Sequence, residues 1–236
     1  MALLGKAALA MWWDMSASRR SEFEHWHTHE HFPERLGVPG FRRATRWTSA
    51  DGGEGIFVMY ELDDYQVLAS PAYVSRLNAP TPWSTRLMPD HRNMVRSQCR
   101  VLESRGINPA RNALTVRLSP TSGRETELRS AIRRLSEYIP TQAGFAGLHL
   151  LRHETPPIAA TQEQKIRGNA DRTADWVLVA CSYEADALRA LSEQELSDES
   201  LVEMGAGPGA ERGLYALSCS ATPFDVADAS AIAAPR

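Results

Sequence analysis

Cysteine is scarce. The chain of 236 residues has three, Cys99, Cys181 and Cys219, none in a C-x-x-C spacing. That excludes a disulfide framework or a zinc ribbon, and the thiols read as small buried residues of a reduced, cytoplasmic protein. Long apolar runs are also missing. No stretch approaches the roughly 20 residues of a membrane span, so no membrane partner is expected. Blocks of one charge are absent as well: 26 Lys and Arg interleave with 29 Asp and Glu for a net charge of -3. No basic stripe is left for a phosphate backbone, and nucleic acid is not an expected partner. Gly205-x-Gly207-x-Gly209 follows a helical stretch rather than a strand, and no serine stands in G-x-S-x-G, which argues against nucleotide cofactors and esterase chemistry. The opening apolar run carries its charge, Lys6, after the leucine pair rather than before it. It therefore reads as a first strand and not as a secretory leader.

What is present is a repeat. Ala8-Leu9-Ala10-Met11, followed by Arg19, Glu22 and Phe23, returns about 105 positions later as Ala113-Leu114-Thr115-Val116, followed by Arg124, Glu127 and Leu128. Gly40-Phe41 returns as Gly144-Phe145, Ile56–Tyr60 as Trp176–Ala180, and Cys99 falls opposite Cys219. Each half reads β-α-β-β-α-β, the ferredoxin-like order. The predicted units are 1–106, 107–224 and a frayed tail, 225–236, with a joint at Ser104–Pro109. In the first half, Ser18 is placed to cap a helix over about 19 to 32 that Pro33 ends or kinks, and Pro71 breaks the helical pieces of 64–77. Strands such as Val177–Ala180 are apolar at every position, so both sheet faces should be buried. Two sheets packed face to face within one chain meet that requirement, giving an α+β fold of tandem ferredoxin-like repeats in a pseudo-dimeric barrel. The second half adds about twenty residues between its middle strands, 154–174, a length that is usually functional or disordered.

Four of the seven histidines fall in His25-Trp26-His27-Thr28-His29-Glu30-His31. At helical spacing Phe23, Trp26, His27, Glu30 and Glu34 share a face, with His31 at its edge, while His25 and His29 point elsewhere. An imidazole between apolar walls and near a carboxylate suits acid/base work near neutral pH. His27–His31 also fits H-x-x-E-H, the spacing of a zinc-binding helix, but a further protein ligand is not evident and Pro33 would disturb the next turn, so no metal is expected there. Trp12 or Trp13, Arg46, Tyr60 and Trp83 could line an apolar pocket between sheet and helices. Their counterparts in the second half are poorer: Arg117, Leu118, Leu150 and Ala180 stand opposite Trp12, Trp13, Arg46 and Tyr60. The working pocket is therefore expected in the first half, with Lys165 or Arg167 of the inserted segment reaching across to an anionic group.

The tandem unit resembles the dimeric α/β-barrel superfamily with both barrel halves fused in one polypeptide. His31-Phe32-Pro33 followed by Val38-Pro39-Gly40-Phe41 resembles the His-x-Pro…Pro-Gly stretch of EthD-like proteins. The resemblance implies a cofactor-independent enzyme of lyase, isomerase or cyclase type acting on a small apolar or aromatic molecule. In that reading His31 is the acid/base, and His27 or Glu30 orients or shares its proton. Arg46 stabilises negative charge, while Trp26, Tyr60, Trp83 and Arg167 shape the pocket. The alternatives are a non-catalytic barrel that binds a small molecule or a partner protein, and a haem-binding or oxygenase-type barrel with haem held by a first-helix histidine. Fusion of the halves makes a monomer sufficient, and a homodimer is equally compatible.

Overall fold

In the computed structural model, residues 3–168 and 171–227 are described. The part of the expected frayed tail beyond 227 lies outside them. Eight strands carry the architecture: β1 (Ala7–Asp14), β2 (Phe41–Ser49), β3 (Gly55–Leu62), β4 (Arg92–Gly106), β5 (Asn112–Leu118), β6 (Phe145–His153), β7 (Trp176–Ser182) and β8 (Glu211–Ala221). Their order is β1-β3-β2-β8-β5-β7-β6-β4, and the sheet closes on itself. Each set of four has the ferredoxin-like order, β4-β1-β3-β2 and β8-β5-β7-β6. The two sets are sealed by antiparallel pairing of β2 with β8 and of β4 with β6. The fold is thus the α+β tandem barrel that the repeat implies. Equivalent sequence segments occupy equivalent strands, so Ala8–Met11 in β1 corresponds to Ala113–Val116 in β5.

Closure gives every strand two faces to fill, and three apolar cores result. Inside the barrel, the rings of Trp12, Phe57 and Trp47 stack in series at 5.0 Å spacing. The Trp12 indole N–H donates to Thr115 Oγ1 at 3.1 Å. Outside, the first-half sheet is covered by α1 (Ala17–Trp26), α2 (Phe32–Leu36), α3 (Pro71–Asn78) and α4 (Pro82–Leu87). The second-half sheet is covered by α5 (Glu125–Tyr138), α7 (Ala185–Glu193) and α8 (Asp198–Met204). The inserted segment 154–174 contains α6 (Gln162–Ile166), and α9 (Pro223–Ala227) follows β8. α6 begins with a capping box between Thr161 and Gln164, so two N–H groups at its N-terminus are satisfied despite its short length.

One local expectation is corrected and two are sharpened. The first helix starts at Ala17 with Ser16, not Ser18, at its N-cap position and no side-chain cap bond. Of the two outcomes expected at Pro33, the helix is disturbed rather than ended: the turn before it, His27–His31, widens into a π-helical turn in which Phe32 N–H donates to His27 O. The extra residue makes room for a proline that lacks an N–H, and α2 continues beyond it. The helical pieces do break at Pro71: a 3-10 turn covers Tyr65–Ala69, Ser70 is extended, and Pro71 sits in the first turn of α3, with Ser70 Oγ accepting from Tyr73 N at 3.3 Å.

The strands β2 and β6 are entered through the paired glycines Gly40 and Gly144, at φ +95° and +91°. A Cβ at Gly40 would collide with the Val67 side chain, whereas one at Gly123, φ +81°, meets nothing within 4 Å. Gly40→Ala should therefore lower the free energy of unfolding by about 2 kcal/mol or more, and Gly123→Ala by about 1 kcal/mol from backbone strain alone. Chemical denaturation of the two variants separates the steric contribution from the conformational one.

Candidate functional site

Between the outer face of the first-half sheet and its helices lies a small, partly open pocket of about 40 Å³, room for about three water molecules. Strand alternation places Leu9, Met11 and Trp13 of β1 and Tyr60 of β3 on its floor, and the π turn places His27 and His31 on its wall. These two imidazoles, four residues apart, lie on the same side of the turn. They stack at 5.4 Å with 27° between their planes, and Trp26 lies 4.5 Å from His31. His91, from the turn after α4, completes the wall and packs 4.9 Å from Trp13.

The three imidazoles have different hydrogen-bond roles. His27 is 1% exposed, and its Nδ1 lies 3.4 Å from the Arg46 guanidinium, which can only donate. Nδ1 must therefore accept, which places the His27 proton on Nε2. His91 Nδ1 lies 3.1 and 3.2 Å from the Met88 and Leu87 carbonyls, so it donates and leaves Nε2 as an acceptor. His31 Nδ1 has no hydrogen-bond partner and faces Glu34 Oε2 at 3.7 Å. Burial pushes all three below the ordinary value of 6.5, His27 and His31 well below it and His91 to about 4. They are neutral at pH 7. Two further polar groups on the same lining, the Tyr60 hydroxyl and the Trp13 indole N–H, are buried without a partner, and burial raises the Tyr60 pKa far above that of an ordinary phenol.

The open side is closed by ions from the other half of the chain. Arg35 of α2, 2% exposed, is paired with Glu163 of α6 and lies 3.7 Å from Glu34. Arg167 donates to both Asp171 oxygens, at 2.7 and 3.1 Å. Gln162 N–H donates to Asn78 Oδ1 at 3.0 Å, pinning α6 to the end of α3. The inserted segment of the second half therefore forms one wall of a first-half cavity.

Of the residues singled out from sequence, His27, His31, Trp26, Tyr60 and Arg167 meet at this cavity. Arg46 lies beneath the helix instead, bonded to Glu24 O, Thr28 Oγ1 and Ser218 Oγ, and reaches the site only through His27. Glu30 points away: it accepts from Trp26 Nε1 at 3.0 Å and Thr81 Oγ1 at 2.5 Å, anchoring α4, and orients neither histidine. Glu34 stands where Glu30 was expected. Trp83 packs beside His25 at 5.3 Å, off the cavity, and Trp12 faces the barrel interior. Lys165 is not on the cavity wall. The H-x-x-E-H residues do not converge, since the two rings stack and the carboxylate turns outward. Among the described residues no group of three His, Cys, Asp or Glu is arranged to hold a metal. No helix of the described residues is long and apolar enough to cross a membrane. Sequence reasoning missed His91, Arg35, Glu163, Tyr73 and Arg96. His91 stands alone in a proline-punctuated segment, and the others carry no periodic signal that separates them from ordinary surface charge.

No protein-family model matches the chain, and no curated protein matches it in sequence. Solved structures do match in fold. An anthrone oxidase-like protein superimposes with TM-score 0.64 at 11% identity, covering 94% of this chain and 96% of that one. A provisionally assigned monooxygenase of Fusobacterium nucleatum gives 0.61 at 10% identity, covering 93% and 96%. Another from Lactobacillus acidophilus gives 0.58 at 8% identity, covering 93% and 97%. At these identities the likeness is one of fold, consistent with a dimeric α/β barrel fused in one chain.

The buried imidazoles set a stability profile. A histidine whose folded pKa lies below its unfolded value binds its proton more readily in the unfolded chain, so stability is full above about 6.5 and is lost as pH falls toward the folded value. His27, His31 and His91 behave this way, as does His149 inside the barrel, lowered to about 3. The melting temperature should therefore drop steeply between pH 6.5 and 4, each such group contributing up to about 1.4 kcal/mol per pH unit. His91→Asn should flatten that slope by close to one proton in denaturation series run across the window.

Proposed function

We propose that this protein is a cofactor-independent enzyme that moves a proton on a small apolar or aromatic molecule held in the first-half cavity. The observation that carries the reading is the set of three neutral imidazoles around one small pocket, His27 and His91 with opposite tautomers fixed by their partners and His31 with its Nδ1 unbonded. His31, whose motif with Pro33 and Pro39-Gly40 resembles EthD-like proteins, is the base. Its Nδ1 side faces Glu34 at 3.7 Å, leaving Nε2 to take a proton, and the imidazolium that forms gains from the nearby carboxylate. The substrate C–H bond breaks, its electron pair moves onto an adjacent carbonyl as an enolate, and the proton rests on His31 until it returns to the same or another carbon. The Tyr60 hydroxyl, the Trp13 N–H and the His27 Nε2–H are donors available to the enolate oxygen. Isomerases, cyclases and cofactor-free oxygenases share this step, and an anthrone, named in one structural neighbour, is an enolisable aromatic ketone.

Entry of such a molecule requires the α6 segment to move outward, because the closed cavity has room for about three waters. Gating of this kind is common where a reaction must be shielded from water. Haem held by a first-helix histidine has less support, because His27 and His31 stack on one another.

The test is deuterium exchange at C10 of anthrone, whose C–H is conjugated to the carbonyl through the rings, and at the α-carbon of 2-tetralone, followed by NMR. Wild-type protein should accelerate exchange over buffer, His31→Asn should reduce the acceleration about 100-fold, and His25→Asn should leave it unchanged. An absence of acceleration by the wild type for both ketones overturns the enzymatic reading in favour of a binding module.

A further inference from the structure

Three arginines line the cavity, and their counter-ions differ. Arg35 has Glu163, and Arg167 has Asp171. Arg96, on β4 and 6% exposed, forms no ion pair with any carboxylate of the described residues; its guanidinium has one side-chain partner, the neutral Tyr73 hydroxyl at 3.0 Å. Tyr73 also lies under Arg35, whose guanidinium carbon is 5.7 Å from the ring centre, so the hydroxyl is held in place by packing. No Arg96 nitrogen is both sealed from solvent and unpartnered, so the donors that Tyr73 leaves unused remain available to a ligand. Beside Arg96 on the same lining, the Tyr60 O–H and Trp13 N–H are donors without acceptors. The other carboxylates are committed elsewhere: Glu163 to Arg35, Asp171 to Arg167, and Glu34 to the side facing His31 and Arg35.

We infer that the missing partner of Arg96 is supplied by the ligand, and that the molecule this cavity takes is an apolar or aromatic acid whose carboxylate seats on the Arg96 guanidinium. This rests on the reading of the cavity as a small-molecule site and narrows its substrate class, making Arg96 a specificity-determining residue. A guanidinium fork matches a carboxylate in two parallel hydrogen bonds, which a neutral isostere cannot reproduce. The apolar remainder of the ligand then lies against Met11, Trp13 and the imidazole faces.

The experiment is calorimetric titration of the intact protein with benzoate and 2-naphthoate against benzamide and 2-naphthamide. The wild type should bind at least one acid ten-fold or more tighter than its amide. Arg96→Met should erase that preference while leaving amide affinity within two-fold, and Arg96→Lys should keep part of it. Equal affinity for acid and amide in the wild type, no binding of either acid, or a preference that survives in Arg96→Met each overturns the inference. If Arg96→Met does not fold, the wild-type ratio and its reduction in Arg96→Lys decide. His31→Asn separates this proposal from the enzymatic one. It should reduce ketone exchange about 100-fold while the preference for acid over amide survives, and a wild type that prefers acids without catalysing exchange defeats only the catalytic reading.

Discussion

The structure depends on the pairing of two sheet edges. A four-stranded ferredoxin-like sheet alone has helices on one face and exposes the other face and both edges, whose unpaired N–H and C=O groups cannot be left dry. Joining β2 to β8 and β4 to β6 removes the edges and encloses the bare faces together. The apolar alternation that fills the barrel, from Ala8 and Ala10 to Val177 and Val179, follows from that closure. Because both sheets belong to one polypeptide, no second copy is needed to complete the barrel.

Duplication then allows the outer faces to diverge. In the first half the helix over the sheet presents Trp26, His27 and His31; at the corresponding positions the second half has Ala131, Ile132 and Ser136, all buried. Tyr60 is answered by Ala180 and Trp13 by Leu118, so the second face packs with aliphatic side chains where the first holds polar groups. Leaving Tyr60 and Trp13 without partners costs about 1 to 3 kcal/mol each, a cost the second half avoids. That half contributes instead the inserted segment whose α6 closes its neighbour's cavity.

Much of this was legible in the chain. Strand order and halves followed from the repeat because closure demands apolar residues on both faces of β3 and β7, and period-two and continuous apolar runs are visible without coordinates. The expectation of a first-half pocket came from the poverty of the second copy. The phase of the first helix was only partly legible, because Pro33 induces a π turn and shifts every residue after His27. That shift brings His31 inward and turns Glu30 toward Thr81. Arg35, Arg96 and Glu163 were illegible for a different reason: a buried ion is recognised by what surrounds it, and its surroundings come from segments more than 100 residues apart, as in the Arg35–Glu163 pair.

The weakness of the bases and the isolation of the donors have one origin. An imidazole pushed well below its ordinary pKa is neutral, and therefore available, but it is a poor acceptor of protons unless the anion it creates is stabilised nearby. The desolvation that weakens His31 strengthens every dipole aimed at that anion, because the low local dielectric acts on both. The Tyr60 and Trp13 donors stay unsatisfied in the closed state, so they need not break existing bonds when negative charge develops. An exposed histidine with solvated donors would be a stronger base in a weaker field. Enclosure by α6 selects the opposite arrangement, and the Arg35–Glu163 pair that maintains it links the fold of one half to the chemistry proposed for the other.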